Sequence, residues 1–311
     1  MGKLSSFERV VGRASEADKE EVLQEAKARF NNQEFRDLQG KERPKTPEDL
    51  QIIDLANQVT NGLRREYGLG NFDIPSQNIH IINKEDWPND KEGAFFTPML
   101  QTIGAVEQPS RLVLMKNIIH EMLHFKSYGA LQFVHGDEAR VDQYRGGLTV
   151  HTRDGENVYF TDLDEAVTEE LTRQLLKQVA GDSLLVQEIK ETQRVMRENP
   201  DAITGTGELL FGEETYYAEI DNQSEVITTE SFTRTKERAI LNTLMNKILE
   251  FNGQEFKDRE AVFAVFVKAM LTGNILPLGR LIDMTFGGGT FKQIGELDKN
   301  IEKQRQYVES L

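Results

Sequence analysis

Apolar residues recur every three to four positions along much of the chain, which is the pattern of helices that bury one face. Leu112, Met115, Ile119 and Met122 form one such stripe, and Leu163, Val167, Leu171 and Leu175 form another. The second follows an acidic start where Thr161 or Asp162 can serve as the cap. A third helix is predicted from Thr46, with Pro47 at its first position, Leu50, Ile53, Ala56, Val59 and Leu63 as its stripe, and Gly68 as its stop. Val22, Ala26 and Phe30 suggest a modest amphipathic helix from about Ser15. Further helices are expected over 184–198, 231–251 and 298–311, and the nearly continuous apolar run 261–271 reads as a core helix. Period-two alternation predicts strands over 77–83, 94–97 and 101–107. It also predicts a hairpin in which Leu148, Val150 and Thr152 turn at Asp154-Gly155 and return through Val158 and Phe160. Residues 201–230 read as polar and irregular. The expectation is an α+β fold with a small mixed sheet. Its regions are a charged helical N-terminal arm (1–45), a central domain (46–181) and a mostly helical C-terminal domain (182–311).

The first stripe carries chemistry on another face. His120, Glu121 and His124 form His-Glu-x-x-His, and residues four apart on a helix share a face, so two imidazoles can address one ion. Glu121, beside His120, can reach a water on that ion as general base, which is the zinc-metallopeptidase signature. The chain has five histidines, and two of them stand at this spacing. The bland alternative is a core helix whose histidines bond to nearby carboxylates. Glu165 and Glu169, four apart and opposite the second stripe, can supply what is missing. One can ligate the metal while the other bonds the free ring nitrogen of a ligating histidine. The bland alternative there is a solvated acidic helix start.

His120-Glu121-Met122-Leu123-His124, followed by Asp164-Glu165-Ala166-Val167-Thr168-Glu169, resembles the gluzincins, the thermolysin- and aminopeptidase-like zinc metallopeptidases. The resemblance covers about sixty residues. It implies a zincin-like catalytic domain over 46–181, with Zn2+ held by His120, His124 and Glu165, Glu121 as base, and Glu169 behind a histidine ligand. The sequence departs from the family in its long gap between His124 and Glu165, in Asp164 where asparagine is common, and in having no histidine after His151. The metzincin pattern fails, since Ser127 and Ala130 stand where it needs glycine and histidine.

Other residues compete for roles. Asp142 is the nearest rival for third ligand. His80 reads as structural, and His135 and His151 lie in the long insertion between the two motifs. Tyr144, Tyr216 and Tyr217 are candidate oxyanion donors. The stretch 101–107 is the candidate strand for pairing with an extended substrate.

Charge and composition narrow the partners. The 311 residues carry a net charge of −15, which disfavours nucleic acid and anionic membranes. There is no cysteine, so thiolate metal sites and disulfides are excluded, and a reducing cytosol fits. No apolar run is long enough to span a bilayer and no signal core opens the chain, so a cytoplasmic location is expected. Gly287-Gly288-Gly289 lacks the lysine of a phosphate loop. The leading expectation is zinc-dependent hydrolysis of a peptide or protein substrate. The alternative is an inactive or structural zinc centre in a helical interaction protein.

Overall fold

Thr46 starts the helix that backs the molecule. Its hydroxyl accepts the Asp49 N–H (3.2 Å), and Asp49 accepts the Thr46 N–H in return (2.7 Å), so two donors at the helix start are satisfied reciprocally. The computed structural model describes residues 5–31, 40–87, 92–134, 140–200, 215–221 and 226–311. Strand β1 (Phe7–Val11) and helix α1 (Glu16–Asn31) precede this backing helix, α2 (Pro47–Glu66). Then come strands β2 (Ile79–Ile82), β3 (Ala94–Thr97) and β4 (Thr102–Val106), and helix α3 (Arg111–Lys126), which carries the two motif histidines. Strands β5 (Gly129–Val134), β6 (Arg140–Gly146), β7 (Thr149–His151) and β8 (Val158–Tyr159) lead into helix α4 (Thr161–Val179). The rest is helix α5 (Val186–Glu198), the hairpin β9 (Thr215–Ile220) and β10 (Ile227–Ser231), and helices α6 (Thr235–Phe251), α7 (Arg259–Thr272), α8 (Leu276–Phe286), α9 (Thr290–Glu296) and α10 (Ile301–Ser310). The fold is α+β.

The strands form three small sheets, in the orders β2-β4-β3, β1-β5-β6-β7-β8 and β10-β9. The first is mixed, with β4 parallel to β2 and antiparallel to β3. The second is mixed because β1 lies parallel to β5, while the later pairs are antiparallel. The hairpin expected around Asp154-Gly155 is present as β7 and β8, with Val150 opposite Tyr159. One contiguous set of buried apolar side chains runs from Phe30 and Ile52 through α3 and α4 to α6, α7, α8 and Val308 of α10. Removing that surface from water is the main favourable term in folding.

Several expectations are corrected. The stretch 101–107 is not an edge. Its strand β4 is bonded on both sides, so its ladder groups are used, and the free edge belongs to β3. The ring of Phe95 on β3 lies over Gly104, where a Cβ would meet it at 2.4 Å. Neither Thr161 nor Asp162 caps α4. The cap position is Phe160, in the left-handed region at φ 64°, with no side-chain cap of its own. The N-terminal arm is more than a helix, because Phe7–Val11 forms an edge strand on β5. Its alternation is short and interrupted by Glu8 and Arg9, which face outward. Part of the stretch read as irregular is the β9–β10 hairpin, and Ser231 ends that hairpin instead of starting α6. Residues 201–214 and 222–225 lie outside the described residues, as does His135. Among the described residues, no helix is long and apolar enough to cross a membrane.

Candidate metal centre

Helix α3 is buried along nearly its whole length, so its polar side chains must find partners inside the protein. Its start is fixed twice. Ser110 accepts the Val113 N–H at 3.0 Å, and Glu188 of α5 takes the Ser110 hydroxyl and the Arg111 N–H. One helical turn separates His120 from His124. Both turn toward α4, which from Leu163 to Thr172 is buried on almost every side because α3, α6 and α7 pack against it.

The Nε2 atoms of His120 and His124 stand 3.3 Å apart. Glu165 closes the triangle, with Oε2 3.5 Å from His120 Nε2 and Oε1 3.5 Å from His124 Nε2. Each outer ring nitrogen has a carboxylate behind it. Glu169 Oε2 lies 2.7 Å from His120 Nδ1, and Asp164 Oδ2 lies 3.3 Å from His124 Nδ1. A carboxylate at Nδ1 holds the proton there and turns the bare Nε2 lone pair inward. Among the described residues, His120, His124 and Glu165 are the one group of three whose ligand atoms lie within 4.8 Å of one another.

The carboxylates are held in turn. Glu169 is fully buried, and its Oε1 accepts the Thr233 N–H at 2.7 Å, the Thr233 hydroxyl at 3.1 Å, and faces Lys116 Nζ at 3.1 Å. Asp164 accepts the Leu148 N–H at 2.6 Å. Arg234 brings its Nε to 3.1 Å from Glu165 Oε2. Its backbone is left-handed at φ 58° at the start of α6, a conformation that costs a non-glycine residue about 1 kcal/mol or more.

The arrangement draws positive charge to its centre. Burial pulls the His120 pKa down, but the bonds to Glu165 and Glu169 outweigh it and raise the value to about 10. His124 is also raised: burial opposes, and the charge of Glu165 and the bond to Asp164 prevail. Glu165 and Glu169 are driven far below the usual carboxylate range, because the histidines and the cations beside them overcome the cost of burial. Glu121 goes the other way. Burial raises its carboxyl despite the two histidines nearby. A proton on His120 thus does what a metal ion would do. A dication in the triangle would displace that proton, as metal binding to histidine commonly does. Glu165 Oε2 is buried, and it faces Arg234 Nε at 3.1 Å and His120 Nε2 at 3.5 Å. Two imidazoles and one carboxylate, converging within 4.8 Å, are a donor set that fits a zinc ion.

A cleft of about 1160 Å³ opens over this triangle. Glu121 lines it beside the histidines, with Phe95 of β3, Trp87, Tyr216 and Arg234 among the walls. Of the candidate tyrosines, only Tyr216 reaches the cleft. Tyr217 donates its hydroxyl to Glu219 (2.6 Å), and Tyr144 stacks under Arg153. Asp142 is not in the cluster. It lies on β6, accepts the N–H of its neighbour Gln143 and faces Arg140. His80 bonds Glu42 at 2.8 Å, in keeping with a structural role, and His151 sits on β7 away from the cleft wall.

Sequence reasoning left four contributors without a role. Asp164 adjoins Glu165 and faces His124, and Lys116 sits one turn before His120 and faces Glu169, so both lie within the two motif helices. Thr233 and Arg234 arrive from a strand-to-helix junction more than sixty positions beyond Glu165, and no local pattern announces them. No protein-family model, no curated protein and no solved structure matches this chain.

Proposed function

We propose that the protein is a zinc-dependent peptide hydrolase with a zincin-like catalytic centre of gluzincin type. The observation that carries this reading is the convergence of His120 Nε2, His124 Nε2 and the Glu165 carboxylate on one point of the cleft floor, with Glu121 alongside. When bound there, a zinc ion supplies Lewis acidity, lowering the pKa of a coordinated water toward about 7 and polarising a carbonyl. The same donor set also suits ferrous iron. The buried glutamate next to the histidines favours hydrolysis, because it gives the site a proton acceptor that redox chemistry does not need.

The chain's own groups divide the work. Glu121 accepts the proton of the attacking water and returns it to the leaving amine, a task suited to a carboxyl whose pKa is raised by burial. Glu169 and Asp164 hold the two imidazoles in the tautomer that presents Nε2. Arg234 and Tyr216 are among the donors on the cleft wall available to a developing oxyanion. The free edge of β3 offers backbone groups to an extended chain.

The test is elemental mass spectrometry of the purified protein with Glu165→Ala and Glu121→Gln, alongside cleavage of a peptide library. About one zinc per chain is expected, lost in Glu165→Ala. Glu121→Gln should keep the metal and lose turnover by roughly 10²- to 10⁴-fold. Wild-type protein that takes up no metal after reconstitution, or a Glu121→Gln enzyme that cleaves at the wild-type rate, would refute the reading.

A further inference from the structure

The first turn of α4 is the least supported part of the centre by its own sequence. The helix begins after Phe160, a side chain that cannot cap, and leaves the N–H groups of Thr161 and Asp162 without a local acceptor. Yet this short stretch carries Asp164, which orients His124, and Glu165, which faces both histidines.

The acceptors come from the far end of the chain. Asp298, in the loop between α9 and α10, takes the Thr161 N–H on Oδ2 (2.6 Å) and the Asp162 N–H on Oδ1 (2.9 Å). A carboxylate at that end also complements the helix dipole. Two further contacts bind the same corner. The Phe160 ring stacks on Phe291 of α9, with centroids 4.5 Å apart and planes at 18°. Gly295 lets the backbone of α9 press against that ring, since a Cβ there would meet it at 2.6 Å. The grip has a cost, because the acidic side chain of Asp162 is brought close to the Asp298 carboxylate.

We propose that Asp298 is a positioning residue of the metal centre, and that the α9–α10 corner is a clamp that sets Glu165 and Asp164 for metal binding. The proposal rests on the metal reading above. Ligand geometry tolerates displacements of only about 0.5 Å. A frayed first turn would move Glu165 and the carboxylate behind His124 together, while leaving α3 in place.

The experiment measures zinc affinity by chelator competition, and the visible spectrum of the cobalt-substituted full-length protein, in wild type, Asp298→Ala, Asp298→Asn and Asn300→Ala. Asn300 caps α10 through the Lys303 N–H, whereas the acceptor at the start of α4 is Asp298, so its variant controls for general loosening of the C-terminal helices. Asp298→Ala is expected to bind zinc about tenfold more weakly or worse and to alter the cobalt bands. Asp298→Asn, which keeps one acceptor oxygen, should fall between. Asn300→Ala should match wild type in both readouts. If Asp298→Ala does not fold, Asp298→Asn and Gly295→Ala carry the test with the same expected direction. Wild-type affinity and spectrum in the Asp298 variants would overturn the clamp alone, as would an equal loss in Asn300→Ala. A wild-type protein that binds no metal would remove the metal reading and the clamp with it.

Discussion

Glu169 shows how much one buried side chain can organise. It has no contact with solvent, and it meets a histidine, a lysine, a backbone N–H and a hydroxyl. A buried carboxylate is tolerated only when its lone pairs are answered in this way. Glu169→Gln keeps the shape and removes the charge. It is expected to weaken zinc binding by about 10- to 100-fold, read by chelator competition. It should also destabilise the fold by roughly 3 kcal/mol, because Lys116 would be left buried without its counter-charge, read by denaturant unfolding. At this scale the sequence was partly legible. The spacing of His120 and His124, and of Glu165 and Glu169, follows from helix geometry, and the four side chains are found together. The pairing of Asp164 with His124 was missed because two adjacent acids offer no periodic signal. Thr233 and Arg234 were missed because an αL residue before a helix leaves no mark in a hydropathy pattern.

Elements divide along similar lines. Most helices followed from three-to-four periodicity, and α2 follows from Thr46, Pro47 and its apolar stripe, whereas α8 and α9 were not expected. The strands β1, β5, β6, β9 and β10 did not follow from the pattern: charged or polar residues interrupt their alternation, and β1 finds its partner β5 more than a hundred positions away. The start of α4 is where local signals misled. Thr161 and Asp162 have cap chemistry, but the acceptor comes from Asp298, and tertiary packing overrides local preference. The arrangement has a pH signature. Burial, and then the charge of Asp298, raise the Asp162 pKa from 3.8 to about 7. A carboxyl whose folded value is raised favours the native state while protonated. That contribution is complete below the unfolded value and is lost as pH rises through about 7. Asp162→Asn should therefore leave stability unchanged near pH 3.5 and increase it at pH 8. The gain should be on the order of 1 kcal/mol, kept small because the side chain is half-exposed. Thermal unfolding at the two pH values checks this, and an equal effect at both would contradict it.

The whole molecule ties the proposed centre to a core that extends into the C-terminal helices. The sequence placed the candidate ligands in its middle third and gave the last 130 residues no part in the chemistry beyond Tyr216 and Tyr217 as candidate oxyanion donors. The physical reason is that their contribution is made by contact, through Asp298, Phe291 and Gly295, and contact across such distances has no periodicity. A ligand that binds only the native state stabilises it by mass action. Zinc at a hundredfold excess over its dissociation constant should add about 2.7 kcal/mol, a rise of roughly 5 °C in Tm for a chain of this size. Calorimetry with and without a chelator measures it, and a midpoint indifferent to zinc would speak against a native-state metal site.

The bond from Asp298 to Thr161 spans 137 positions, and synthesis runs in one direction. His120, His124 and Glu165 are all made before Asp298. At about 5–20 residues per second, on the order of ten seconds pass between the last ligand and the carboxylate that holds its helix. If the clamp acts as proposed, a chain still being made carries His120, His124 and Glu165 without the means to align them. The order of synthesis then serves as a delay, and the centre is completed only once Asp298 has been made.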